Sequence, residues 1–160
     1  MALLPKMAGF HTVELSQYLQ ELFQLDKEIA DASPLILPLE TPEELLEYLT
    51  KEHNTTTFIF NNLDNQLVGY LSYEKATDIS NLYEVINLGV HPKHQHQGYG
   101  TKLMEHFFAL TEGNPSRLVT NPKNTQAFIF YQKLGYEPVK QVENYFGDGT
   151  PRTIFYRPSS

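Results

Sequence analysis

The chain contains no cysteine. That excludes disulfides, thiolate zinc sites and a cysteine nucleophile, and it fits a cytoplasmic location, the one expected here. Basic residues are scarce as well. Twelve Lys and Arg against 19 Asp and Glu leave a formal charge of −7. This balance argues against nucleic-acid binding through phosphates and favours a cationic partner such as an amine. No apolar run approaches the roughly 18–20 residues that span a bilayer. The N-terminus lacks the basic region, apolar core and cleavage site of a secretory signal, so no membrane association is expected. What remains is 160 residues, 41% hydrophobic and 19% charged, enough for one substantial core. No repeat, low-complexity tract or linker interrupts them, and a single domain over 1–160 is expected. A homodimer is left open.

The stretch Leu82 to Phe108 organises the rest. Leu82–Val90 is an apolar run that reads as a buried strand, and His91-Pro92 ends it because proline cannot continue a ladder. A short polar loop follows, Gln95-His96-Gln97-Gly98-Tyr99-Gly100-Thr101. Then Leu103, Met104, Phe107, Phe108 and Leu110 recur at helical spacing. Strand, glycine loop and helix together bind phosphates. The first N–H groups of a helix have no internal partners, and its leading end carries partial positive charge. A Walker loop is excluded by length and by the missing Gly-Lys-Ser/Thr. A dinucleotide fingerprint is excluded because Leu103 stands where its third glycine belongs.

Gln95-x-x-Gly98-x-Gly100 after such a strand resembles the acetyl-CoA signature of the GNAT superfamily, the Gcn5-related N-acetyltransferases. Leu82–Val90 is similar to the family's fourth strand, and Asn124-x-x-Ala127-x-x-x-Tyr131-x-Lys133-x-Gly135-Tyr136 to its second conserved region. The resemblance covers about residues 40–157. It implies an α/β fold: a mixed, twisted central sheet of six to seven strands, splayed between strands 4 and 5, with about four helices on both faces. It also implies acetyl transfer from acetyl-CoA to a primary amine, carried by a small molecule or a peptide, with no metal. Without a cysteine to hold the acetyl group, attack in a ternary complex is expected.

Within that resemblance, backbone N–H groups from Gln97, Gly98, Tyr99, Gly100 and Thr101 are candidates for the pyrophosphate, with Gln95 of the signature and the His96 side chain as further cofactor-binding candidates. Leu88, Gly89 and Val90 are placed to pair with pantetheine like an added strand, and Asn124 to touch it. Glu84 is the candidate general base. It lies in an apolar strand, where burial favours the neutral acid, and at the position of the glutamate base of histone-acetylating relatives. The alternative is an ordinary strand-end carboxylate, exposed or paired with a lysine. Asn87 is a weaker candidate to orient a water. Tyr131, seven residues and two helical turns beyond Asn124, is placed by the resemblance near the sulfur as an acid; the alternative is a core tyrosine. His91, His94 and His96 suggest a metal by proximity, but no carboxylate lies close in sequence, and His96 falls within the phosphate loop. Tyr145-Phe146 either grips a peptide or packs the last hairpin. A non-catalytic acyl-CoA-binding module and transfer of a longer acyl chain are the rival readings.

Elsewhere, Thr12 to about Ile29 reads as an amphipathic helix with Leu15, Leu19, Leu22 and Ile29 on one stripe and Tyr18 and Leu25 beside it. Met1–Gly9 makes a poor strand, with Pro5 and Gly9 in it. Ser33–Leu39 is loop or extended. Thr41-Pro42-Glu43-Glu44 is a capping box opening a second helix, from which Leu45, Leu46 and Leu49 face inward. Thr55–Phe60 and Leu67–Tyr73 are strands by β-branched and aromatic content, joined by a turn over Asn61–Gln66. Arg117–Thr120 is a strand, Asn124–Leu134 a helix ended by Gly135, and Tyr136–Phe146 with Thr153–Tyr156 a closing hairpin.

Overall fold

The computed structural model describes residues 6–10, 18–32, 40–50, 54–60, 64 and 66–160, the first of these segments by backbone alone. The expectations for residues 1–5, 11–17, 33–39, 51–53, 61–63 and 65 lie outside the described residues. The elements run β1 (Lys6–Phe10), α1 (Leu19–Asp31), α2 (Pro42–Leu49), β2 (Thr55–Phe60), β3 (Leu67–Lys75), β4 (Tyr83–Val90), α3 (Tyr99–Leu110), β5 (Ser116–Thr120), α4 (Thr125–Lys133), β6 (Glu137–Val142) and β7 (Arg152–Arg157). The strands form one seven-stranded sheet in the order β1-β2-β3-β4-β5-β7-β6. Only β4–β5 is parallel; the other neighbours are antiparallel. The first strand corrects the sequence expectation. Lys6–Phe10 pairs along the whole of Thr56–Phe60, because the outer edge of β2 supplies hydrogen-bond partners that local propensity does not register.

Helices cover both faces. Leu22, Leu25 and Ile29 of α1 and Leu45 and Leu49 of α2 pack on Phe58, Phe60 and Tyr70. Leu103, Met104 and Phe107 of α3 pack on the other face with Ile59, Leu71, Val85, Leu118 and Phe155; Phe128, Phe130 and Tyr131 of α4 lie against this second cluster. Leu110 continues the apolar spacing but is exposed. Thr41 caps α2 by accepting the Glu44 N–H at 3.1 Å. The returning contact differs from a capping box: Glu44 accepts from the Glu40 N–H at 2.9 Å, one residue earlier than Thr41.

The two layers are drawn close by a pair of glycines. A Cβ at Gly69 would stand 2.9 Å from the Gly89 carbonyl oxygen, and one at Gly89 2.7 Å from Ile29 Cδ1. A side chain at Gly69 would meet the main chain of β4 and crowd Leu103 of α3, and one at Gly89 would displace the Ile29 side chain of α1. On the far side, α4 ends in Gly135 at φ +92°. The Tyr136 N–H donates to the Tyr131 carbonyl and the Gly135 N–H to that of Gln132, a Schellman closure. This turn swings Tyr136 fully into the core, where its hydroxyl bonds Ser116 Oγ at 2.6 Å.

Gly69→Ala is expected to destabilise the fold by about 1–3 kcal/mol, because its methyl meets main chain that cannot rotate aside. Thermal unfolding of the variant checks this; an unchanged midpoint contradicts the close approach.

Candidate active site

Three features of the sheet build the site. First, β4 carries a bulge. Tyr73 opposes Val85 and Ser72 opposes Asn87, leaving Ile86 as the extra residue. The bulge reverses the alternation of faces. Glu84 before it and Asn87 after it both lie on the α1/α2 face, as do their cross-strand partners Glu74 and Ser72. Leu88 and Val90 turn toward the α3 side. Second, β4 and β5 pair only at Tyr83–Ser116 and Glu84–Arg117. Beyond that vertex the strands part, and the edge of β4 from Val85 to Val90 has no strand beside it. Third, α3 begins at the far end of this notch.

The loop into α3 is tightly folded. Pro92–His94 forms a single 3₁₀ turn. His96 takes φ +62° and Gly98 φ +87°, both left-handed. Gln95 Nε2 donates to the Val90 carbonyl at 3.2 Å, and Gln97 Nε2 to that of Lys93 at 3.4 Å. The Lys102 N–H reaches the Gly98 carbonyl, the first helical bond. Among the described residues, no acceptor takes the N–H groups of Gln97, Gly98, Tyr99, Gly100 or Thr101. A Cβ at Gly98 would meet nothing within 4 Å, and unpaired N–H groups at a helix start are the kind of donors that suit an anion. Gly100 has a packing use as well. A Cβ there would lie 3.3 Å from Phe130 Cζ, so besides its open N–H this position lets α3 pack closely on α4.

Glu84 departs from the expected apolar, unpaired setting. Its side chain is 19% exposed and accepts from Arg117 Nη2 at 3.2 Å. The reason is register: the last paired rung of β4 and β5 sets the two side by side. Arg117 also grips Asp78 through two N–H groups, each at 2.9 Å. Both carboxylates raise the Arg117 guanidinium well above its ordinary value, Asp78 most. Around Glu84 gather acidic groups the sequence did not single out. Burial first, and then the charges of Glu74, Asp26 and Glu84, hold the Tyr48 phenol above its usual value. Tyr70 donates its hydroxyl to Asp26 at 2.7 Å, and burial, then Asp26, pushes that phenol higher still. No local signal marks Glu74 or Arg117, since each acquires meaning only through strand pairing.

Tyr131 comes from the other face, among Tyr136 and Phe155. Burial pushes its phenol far up, with Tyr136 adding to the effect. Among the described residues its hydroxyl has no hydrogen-bond partner. Asn124 is the N-cap of α4 rather than its first residue: its Oδ1 accepts the Ala127 N–H at 3.1 Å, leaving the amide N–H₂ to a ligand. The histidines have separate occupations. His91 Nδ1 accepts the Lys93 N–H, so its Nε2 is the donor to Glu28 of α1. His94 stacks edge-on between His91 and Tyr99, and His96 is exposed. Among the described residues, no three His, Asp or Glu side chains converge as a metal site would need. Tyr145 and Phe146 lie on the surface of the hairpin. They are 37% and 61% exposed, ring against ring at 4.7 Å, with Arg152 stacked on Phe146.

A sequence model of the Acetyltransferase (GNAT) family matches residues 17–136. The chain is 33% identical over 113 residues to an uncharacterized N-acetyltransferase of Bacillus licheniformis, covering 66% of this chain and 68% of that protein. In structure it is similar to the ribosomal-protein-S18-alanine N-acetyltransferase of Escherichia coli, with TM-score 0.76, 18% identity, and 98% and 95% of the two chains covered. It is also similar to the PaiA N-acetyltransferase of Thermoplasma acidophilum in complex with coenzyme A, with TM-score 0.70, 18% identity, and 98% and 99% covered. No helix among the described residues is long and apolar enough to cross a membrane.

The raised Tyr131 phenol yields a pH prediction. At about pH 10, where an ordinary tyrosine is half ionised, Tyr131 stays protonated. The phenolate absorbance of Tyr131→Phe is therefore expected to match that of the parent there. A deficit of half a phenolate contradicts the burial of this ring.

Proposed function

The chain belongs to the GNAT acetyltransferase family, and on that premise we propose that it moves the acetyl group of acetyl-CoA to a primary amine by direct attack in a ternary complex. The observation that carries this reading is the open cradle of N–H groups from Gln97 to Thr101 at the head of α3, set at the end of the notch between β4 and β5. A diphosphate accepted by those donors directs the pantetheine arm along Leu88, Gly89 and Val90, whose outward edge is unpaired, with the Asn124 amide as a further donor. Acetyl-CoA supplies an activated acyl carbon and a thiolate leaving group.

The residues at the vertex then have distinct tasks. A lysine-like amine arrives protonated, since its pKa is about 10.4. Glu84, on the α1/α2 face with Asn87 beyond the bulge, accepts that proton directly or through a water. The amine nitrogen bonds to the acyl carbon as the carbon–sulfur bond breaks. Tyr131, kept as a phenol by burial, gives its proton to the departing sulfur, and the second proton shed by the newly acylated nitrogen returns through water to the Tyr131 oxygen. Glu74 and Asp26 add negative charge on the side from which an ammonium approaches. The acceptor is a primary amine of a small molecule or a peptide. The exposed Tyr145 and Phe146 support a peptide, and the lack of cysteine fits a cytoplasmic setting.

Gly98→Glu is expected to weaken coenzyme A binding at least about 100-fold in calorimetry, by placing bulk and a like charge where the diphosphate sits. Retained affinity sinks the cradle. Glu84→Gln is expected to lower turnover by about 100-fold near pH 7 and by only a few-fold near pH 10, where the amine deprotonates itself. Thiol release from acetyl-CoA across polyamines, amino acids, aminoglycosides and peptides reads both the acceptor and this profile. An equal loss at every pH removes Glu84 as base.

A further inference from the structure

Glu84 and Arg117 form the last rung before β4 and β5 separate. Glu84 faces Glu74 directly across β3, and the two carboxylates share the α1/α2 face with Tyr48 and Asp26. Like charges opposite one another in an antiparallel pair repel. Left to itself, the Glu84 side chain would swing from Glu74. Arg117 opposes that swing with one N–H to Oε2, and among the described residues Oε1 has no partner. Arg117 is in turn fixed from the other side. Asp78, in the loop between β3 and β4, accepts from both Nη1 and Nη2 in the planar fork that only arginine offers. Asp78 is 57% exposed, so this pair contributes little to stability; its effect is directional.

We propose that Arg117, anchored by Asp78, is a positioning residue that holds the Glu84 carboxylate at the vertex of the notch with one oxygen open to the incoming amine. The inference rests on the reading of Glu84 as the base. Asp78 keeps the guanidinium from closing on both Glu84 oxygens, and Arg117 keeps Glu84 from turning out of line. Because Asp78 belongs to the β3–β4 loop and Arg117 to β5, the device ties both walls of the notch to one carboxylate.

The test is a double-mutant cycle on acetyl-CoA turnover, with the panel amine that is acetylated fastest, joined to the side-chain carboxyl NMR resonance of Glu84, identified by its loss in Glu84→Gln. Arg117→Gln and Asp78→Asn are each expected to lower kcat about tenfold, with KM for acetyl-CoA within about twofold. Arg117→Lys, which keeps the charge but not the fork, falls between. Both Arg117→Gln and Asp78→Asn move the Glu84 resonance. In the Glu84→Gln background, Arg117→Gln lowers kcat no further. An equal loss with and without Glu84, or an unmoved resonance, overturns the positioning role. Wild-type turnover in Glu84→Gln overturns the base itself, and with it the task assigned to Arg117.

Discussion

The structure depends on one act of strand pairing being cut short. β4 and β5 run parallel for two rungs, Tyr83–Ser116 and Glu84–Arg117, and then part. Backbone polar groups in the middle of a sheet call for partners, and the freed edge of β4 offers its own to an extended, amide-bearing chain. The bulge at Ile86 adds local twist to β4 at this place and resets which residues face which helix layer. Both faces of the vertex are held. Ser116 and Tyr136 close its vertex on the α3/α4 side by a buried hydrogen bond, and Arg117 closes it on the α1/α2 side with Glu84 and Asp78. The donors of α3 lie at the open end.

The two faces of the sheet carry unlike chemistry as a result. The α3/α4 face is apolar and aromatic, and burial there keeps the Tyr131 phenol protonated. The α1/α2 face brings Asp26, Glu74 and Glu84 around Tyr48 and Tyr70. A proton donor on one side of the notch and proton acceptors on the other suit an amide-forming transfer, in which one proton leaves the nucleophile and another reaches the leaving group. Gly89 gives Ile29 of α1 room against β4, on the helix that brings Asp26 and Glu28 to the sheet. Through Glu28, α1 is tied to His91 and so to the root of the phosphate loop.

What was legible in the sequence was whatever is encoded locally. Leu82–Val90, the glycine loop and the α3 stripe declare themselves by periodicity and by a left-handed glycine, Gly98. The end of α4 is written in Gly135. The strand Lys6–Phe10 was illegible because its stability comes from the edge of β2. Arg117 was read only as the start of a strand, since its partners, Asp78 and Glu84, lie 39 and 33 residues away in the chain. Glu84 was found as a site candidate but given the wrong surroundings, because a parallel rung cannot be inferred from either strand alone. The loop places Gly100 among the donors, but its close contact with Phe130 of α4 is invisible without the fold. The exposure of Tyr145 and Phe146 follows from a turn braced by Asn144, Asp148 and Arg152, with Asn144 at φ +52°, a conformation composition does not predict.

The central claim is that the N–H groups heading α3 receive the diphosphate of coenzyme A while its arm lies in the notch beside β4. Backbone amide NMR shifts on adding coenzyme A test this most directly. The account predicts the largest changes at Gln97–Thr101, followed by Leu88–Val90, with the amides of β1 and β2 unmoved. Saturable binding that leaves Gln97–Thr101 unperturbed would contradict it.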